Sequence, residues 1–434
     1  MKAVWSSLAR TVAGSPGAPL ARPPGARAAV AAVGLFALLA VSAQIGAATP
    51  VHAATPQPGQ SAALATVVDG RPDSGGEGVI RVDPQALQVT VRSGQQRQRT
   101  VSLTNSGSAA LAWRIRDGAG STGRRTPGQV LKSWPADGLA ISRGIGVESG
   151  NVWVSDADLL RNDSFTPDGV RREEGWPTPW ANEYPGPADM AYVPARAVMC
   201  QVKIGADNGV YCWNPRSGEI VASIVGQFPW STVSQSGLAY RPDDDSFYIG
   251  GGNQGIIYHI AGLGHPVPGR VISQCAPADP AIAGLGWNPG FGLLWVATNS
   301  AEDLIHAVDP HTCVTLTTLT PPDQVPFSGA GLDVDVDGNL WLMSAGSPGT
   351  AYLVDSGVPS SSDAPWLSVT PASGLLAPGG TQRLTVRVDA TALAPGRYRA
   401  TLYLLSNNES RPVTTVPVRV TVRSTGPDRP LAAA

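Results

Sequence analysis

The chain has 434 residues, of which 50 are glycine and 39 proline, with 42% hydrophobic and 15% charged side chains. That length allows two or three domains with real cores, and the turn-rich, charge-poor balance suits an all-β protein and excludes wholesale disorder. Lys2, Arg10, Arg22 and Arg27 all precede the first apolar run, so the chain beyond Ala53 carries 27 basic against 33 acidic groups, a balance that argues against nucleic acid as a partner.

In chain order, a basic start leads into AAVAAVGLFALLAVSA (Ala28 to Ala43) and then VHA ending at Ala53, which reads as a signal peptide over residues 1–53. The apolar core is short for a membrane span and Gln44 ends it; an uncleaved anchor is the alternative, and either places the remainder outside the cytoplasm. Residues 54–78 are rich in Pro, Gly, Ser and Ala and read as a flexible linker. Residues 79–117 hold three alternating strands, GVIRVDPQALQVTV, RQRTVSLTNSG and ALAWRIRD, with Leu87, Val89, Val91, Val101, Leu103, Leu111, Trp113 and Ile115 on one face.

Residues 128–357 are repetitive. ADMAY, SGLAY, AGLGW and AGLDV align with Met190, Leu238, Leu285 and Leu332 in register, at intervals of 48, 47 and 47 residues. Within one period, AGLGW, LLWVATN, LIHAV and CVTLTTL are separated by turn chemistry, so the repeat is a four-stranded propeller blade. IGVESGNVWVSD (Ile145 to Asp156) supplies an earlier copy, giving five blades, with six as the alternative. The last copy lacks an outer strand before SGVPSSSD. GQVLKSW, Gly128 to Trp134, resembles the outer strands GEIVASI and GRVISQC and is expected to close the ring; a strand outside the ring is the other reading.

All four cysteines lie within the repeats. Cys200 and Cys212 fall on adjacent strands of one blade and should pair, leaving Cys275 for Cys313; spacing alone does not choose among the three possible pairings, and it does not suit a zinc knuckle. Residues 363–423 add four strands, WLSVTP, QRLTVRVDA, YRATLYLLSN and TVPVRVTV, before a disordered tail at 424–434. Neither flank makes a sandwich alone. Together they give the seven strands of an immunoglobulin-like sandwich, with the propeller inserted between its third and fourth.

PQALQVTVRSGQQRQRTVSLTNSGSAALAWRI and PWLSVTPASGLLAPGGTQRLTVRVDATALAPGRYRATLYLLSN, with the A-L-A-P-G-R-Y turn at Ala392 to Tyr398, resemble the two ends of a bacterial Ig-like repeat of the BACON and ASPM/SPD-2/Hydin type. The blade motifs G-L-A-Y-x-P, L-W-V-A-T-N and D-G-N-L-W resemble NHL-like and streptogramin-lyase-like propellers, and those appended to secreted subtilisin-like peptidases. Such motifs define blades, not substrates.

For chemistry, one propeller face is expected to gather Trp176, Trp180, Tyr184, Phe228, Trp230 and Phe327 beside Asn208, Asn253, Gln254, Asn299 and Glu302, a surface for stacking sugars or gripping a peptide. The competing reading is that these rings pack over the blade tops and seal the ring. An enzyme would need paired acids near the axis, and the inner strands offer Asp189 and Asp333. DVDVDGN carries Asp333, Asp335 and Asp337 at EF-hand spacing, but Ser344 stands where a bidentate Glu is required, so a hairpin turn accounts for the stretch and Ca2+ is a weak alternative to no cofactor. The reading is a secreted bacterial, non-catalytic binding or scaffold protein for an extracellular glycan, peptide or cell-surface protein, touching a membrane only through an uncleaved signal. A propeller hydrolase or lyase acting on a glycan or small metabolite, and a purely structural surface protein, are the alternatives.

Overall fold

The computed structural model describes residues 76–119, 126–148, 150–181, 186–205, 208–322, 329–360, 364–408 and 411–424. The expected signal peptide, nearly all of the linker, Tyr184, Phe327 and the tail from 425 lie outside these residues. No described helix is long and apolar enough to cross a membrane.

Alternating sequence at both ends builds one sandwich. The first end supplies β1 (Ile80–Asp83), β2 (Leu87–Arg92), β3 (Gln96–Asn105) and β4 (Leu111–Ala119). After β5 (Val130–Pro135) come four complete blades: β6 (Ser142–Glu148), β7 (Asn151–Asp156), β8 (Arg161–Phe165) and β9 (Arg171–Pro177); then β10 (Pro187–Val193), β11 (Val198–Lys203), β12 (Val210–Trp213) and β13 (Ile220–Ile224). The third is β14 (Gly237–Arg241), β15 (Ser246–Gly251), β16 (Ile256–Ala261) and β17 (Val271–Cys275), and the fourth β18 (Ile282–Asn288), β19 (Leu293–Thr298), β20 (Ile305–Val308) and β21 (Thr315–Leu319). β22 (Gly329–Val334), β23 (Leu340–Ser344) and β24 (Thr350–Val354) follow, and then β25 (Leu367–Thr370), β26 (Ser373–Leu376), β27 (Thr381–Asp389), β28 (Gly396–Ser406) and β29 (Val413–Arg423).

One sandwich sheet has the order β1-β3-β27-β25 and the other β2-β29-β28-β4-β26, so both mix strands from before and after the ring. Trp113 and Trp366 share the resulting core with Val101, Leu103, Leu402 and Val420. Among the described residues the sandwich has nine strands, not the seven expected. The stretch read as one strand through Pro84 splits into β1 and β2, which join opposite sheets, because proline cannot donate to a continuing ladder. The second addition, β26, lies between the expected strands WLSVTP and QRLTVRVDA and pairs with β4.

Between the halves the described residues form five four-stranded antiparallel sheets, the last ordered β22-β23-β24-β5. Trp134 of β5 sits opposite Ala351 of β24, which is the ring closure expected from Gly128 to Trp134. Inner strands β6, β10, β14, β18 and β22 each neighbour the next, and β22 neighbours β6, so the ring has no open seam. Both disulfides form, Cys200 with Cys212 and Cys275 with Cys313.

Sandwich and ring share a continuous interior. Ala112, Tyr403 and Leu405 from the sandwich pack with Phe291, Leu316 and Leu319 of the ring and with Val358 just beyond it. Above this apolar contact, the Arg114 guanidinium pairs with Asp309 and donates to the carbonyls of Phe291 (3.0 Å) and Gly292 (2.7 Å).

Candidate functional site

The aligned inner strands place Asp189 in register with Gly144, Gly237, Gly284 and Gly331. Space explains the glycines: a Cβ at Gly331 would stand 2.7 Å from the Ile145 backbone nitrogen, and one at Gly284 2.5 Å from the Gly331 carbonyl carbon. Five inner strands therefore approach so closely that a side chain is admitted at only one position of this layer. That side chain is fully buried Asp189. Its carboxylate accepts backbone N–H groups from all four other inner strands: Ile145 (3.2 Å), Leu238 (3.4 Å), Leu285 (3.0 Å) and Leu332 (3.3 Å). Burial raises this carboxyl well above the ordinary range, the amides of Leu285, Ile145 and Leu238 oppose the shift, and the charge of Asp333 adds to it.

Asp333 occupies the next axial layer, in register with Gly146, Ala191, Ala239 and Gly286. It accepts from Val147 of the first blade (2.7 Å) and from Val334 of its own strand (2.8 Å). Withdrawal from solvent pushes its carboxyl up to about 7, against those two donors. Asp335 turns away into the β22–β23 hairpin, where its Oδ1 accepts from Asp337 (2.9 Å) and Asn339 (2.8 Å). Among the described residues no three His, Cys, Asp or Glu side chains gather as a metal site.

Among the described residues, the aromatic side chains expected on one rim are not gathered there. Trp230 is fully buried, stacked on Phe228 at 5.2 Å, and donates to the Gly269 carbonyl (2.8 Å). Trp180 is stacked on Tyr211 at 5.6 Å in a different cluster, with Trp153 and Trp213. Half-buried Trp176 donates to the Pro215 carbonyl (3.0 Å). Asn208 is buried and holds the β11–β12 connection through Lys203 and Gly209, and Gln254 accepts from the Tyr258 hydroxyl (3.0 Å). Asn253 and Asn299 are exposed in separate blades.

The reason is a repeated seam. The turns before the four outer strands β9, β13, β17 and β21 each carry a left-handed residue, Gly169 (φ 82°), Gly218 (φ 71°), Gly269 (φ 82°) or Cys313 (φ 57°). Against it sits the end of the preceding blade's outer strand: a Cβ at Gly169 would meet the Trp134 ring at 2.5 Å, at Gly218 the Trp176 ring at 2.6 Å, and at Gly269 the Ile224 side chain at 2.6 Å. At the fourth such turn the pair is Cys275 and Cys313, covalently joined. Large side chains are thus drawn between blades and away from the face.

A cleft of about 640 Å³ opens beside the second blade, lined by Arg196, Arg216, Asn214, Ser223, Glu148 and Val221 among others. Pro215, the acceptor of Trp176, also lines it. Neither axial aspartate does. Glu148, nearly buried, receives the Trp153 indole N–H at 3.3 Å. None of these lining residues was singled out from sequence, because the cleft joins turns of three blades whose juxtaposition no local pattern encodes.

Residues 357–421 match the family described as Viral BACON domain. The match takes in β25 to β28 and most of β29, while β1 to β4 are displaced in sequence by the ring. No curated protein matches the chain. Similar solved structures include a Bacteroides thetaiotaomicron structural genomics protein of unknown function, at 9% identity and TM-score 0.36 over 65% of this chain and 99% of that one. A Xanthomonas campestris gluconolactonase gives 13% identity and TM-score 0.33 over 56% and 94%, and a streptogramin B lyase 11% and 0.31 over 73% and 89%. Overlaps this loose carry no chemistry across.

Proposed function

We propose that the protein is an exported, non-catalytic binding scaffold that takes a glycan or peptide on the propeller, at the cleft between Arg196, Arg216 and Ser223. The observation that carries this reading is the environment of Asp189. An acid whose two oxygens accept amides from four strands, in an axial layer too narrow for a second side chain, is a structural tie and is not presented to a substrate. Arg196 and Arg216 offer paired donors for a carboxylate or sugar hydroxyls, and Trp176 fixes the turn that bears Arg216. The two disulfides favour an oxidising compartment.

Glycan and peptide arrays probed with the whole protein test the proposal. A ligand retained by the parent and weakened at least about tenfold by Arg216→Ala, a loss typical of one charged contact, supports it. Ligands insensitive to that change contradict it. The hydrolase or lyase reading is favoured by one observation, the Asp333 carboxyl at about 7, within the range of a general acid. Turnover of any arrayed glycan that Asp333→Asn abolishes would establish that reading instead.

A further inference from the structure

The outward face of the larger sandwich sheet changes character along its strands. In β28 and β29, the side chains of Leu402, Leu404, Val418 and Val420 enter the core, so odd-numbered residues face outward. At the ring end these are Tyr403 and Leu405, docked on the propeller. At the far end they are Arg397 and Arg399 on β28 and Arg419 and Arg423 on β29, all exposed. Exposed Arg92 extends the series on β2, whose Leu87, Val89 and Val91 face the core.

Register places these arginines together. Arg399 lies directly opposite Arg419, and Arg92 directly opposite Arg423. Arg397 is opposite Thr421, and Gln88 and Thr90 complete the rows on β2. Among the described residues no acidic side chain shares this exposed half-face, and Arg92, Arg397, Arg399 and Arg419 form no ion pair. With about 4.8 Å between strands and about 7 Å between alternate residues along a strand, five guanidinium groups occupy a patch of roughly 10 by 14 Å. Like charges directly opposite one another destabilise a sheet, so the fold gains nothing from setting Arg399 against Arg419.

We infer that this patch binds an acidic polysaccharide, whose carboxylate or sulfate groups recur at a spacing the arginine rows can match. Guanidinium forks suit such oxyanions bidentately. A flat face does not enter a duplex groove, and its exposed half carries no aromatic ring on which unpaired bases could stack, so the surface favours a polysaccharide over nucleic acid. The surface is separate from the propeller cleft, and either can fail without the other.

Affinity electrophoresis and calorimetry of the whole protein with polygalacturonate, heparin and neutral dextran test it. Binding is expected with at least one of the two acidic polymers, carboxylate or sulfate, and not with dextran, and it should weaken as NaCl rises. The doubles Arg399→Glu/Arg419→Glu and Arg399→Gln/Arg419→Gln should each lose at least about tenfold while melting no lower than the parent. Arg383→Glu on the opposite sheet should leave binding unchanged. Equal retention by dextran, affinity indifferent to both doubles, or tighter binding to duplex DNA or to phosphatidylglycerol vesicles than to either polysaccharide would overturn the inference.

Discussion

The Asp189 carboxylate lies 3.0 Å from the Leu285 backbone nitrogen, joining strands from the second and fourth blades across the axis. The same two oxygens reach the first, third and fifth blades, so one side chain links every inner strand of the ring.

Asp189→Asn keeps the shape and replaces one acceptor oxygen with a donor that faces backbone amides. Buried donors then lose their partners, and denaturant unfolding should show a loss of about 3 kcal/mol or more. A variant as stable as the parent would mean that the axial amides do not depend on this acid.

For Asp333, the folded carboxyl titrates at about 7 against an ordinary 3.8, so the folded protein holds this proton more tightly than the unfolded chain. The associated stability is complete below about pH 4 and is lost as pH rises through about 7. Asp333→Asn cannot ionise. Its melting temperature relative to the parent should improve between pH 5 and pH 8, by an amount equivalent to about 2 kcal/mol after allowance for partial exposure. A difference that stays constant with pH contradicts the assignment.

His259 has the opposite sign. Burial lowers it to about 4, Asp244 partly opposes the shift, and its Nε2 lies 2.7 Å from the Ser246 hydroxyl. Stability from the neutral ring is present above pH 6.5 and is lost as pH falls through about 4, on the order of 1–2 kcal/mol after solvent screening. His259→Gln should flatten this acid limb in thermal melts from pH 7 to pH 4.

The Cys275–Cys313 bond occupies a seam that Ile224 and Gly269 fill without covalent help one blade earlier. Cys275→Ser/Cys313→Ser should cost about 2–4 kcal/mol. Cys275→Ile/Cys313→Gly, which restores the apolar residue and suits the left-handed turn, should recover about 1–2 kcal/mol of that loss. Equal melting of the two doubles would show that the seams are not equivalent.

Much of this architecture was legible in sequence, because Met190, Leu238, Leu285 and Leu332 keep their period and Gly128 to Trp134 resembles an outer strand that lacked a blade. Cys200 and Cys212 could be paired for the same reason, once their strands were placed in one blade. The axial tie was also readable in principle: the alignment sets Asp189 where three other copies have glycine. Its hydrogen bonds were not, since they depend on how closely five strands converge. The aromatic residues misled because Trp176 and Trp230 lie in segments that look like face loops, whereas the left-handed turns at Gly218 and Gly269 open slots between blades that draw the rings in. The arginine patch needs the register of β2 against β29 and of β29 against β28, pairings separated by the whole ring in one case and invisible to local patterning.

Hydrogen–deuterium exchange of the parent and Asp189→Asn, compared by mass spectrometry under native conditions, tests the axial tie most directly. Peptides spanning residues 144–147, 237–240, 284–287 and 331–334 should be protected in the parent and should all exchange faster in the variant, while sandwich strands β27 to β29 keep their protection. Acceleration confined to one of those four segments, or none, would contradict a ring held at its centre by a single carboxylate.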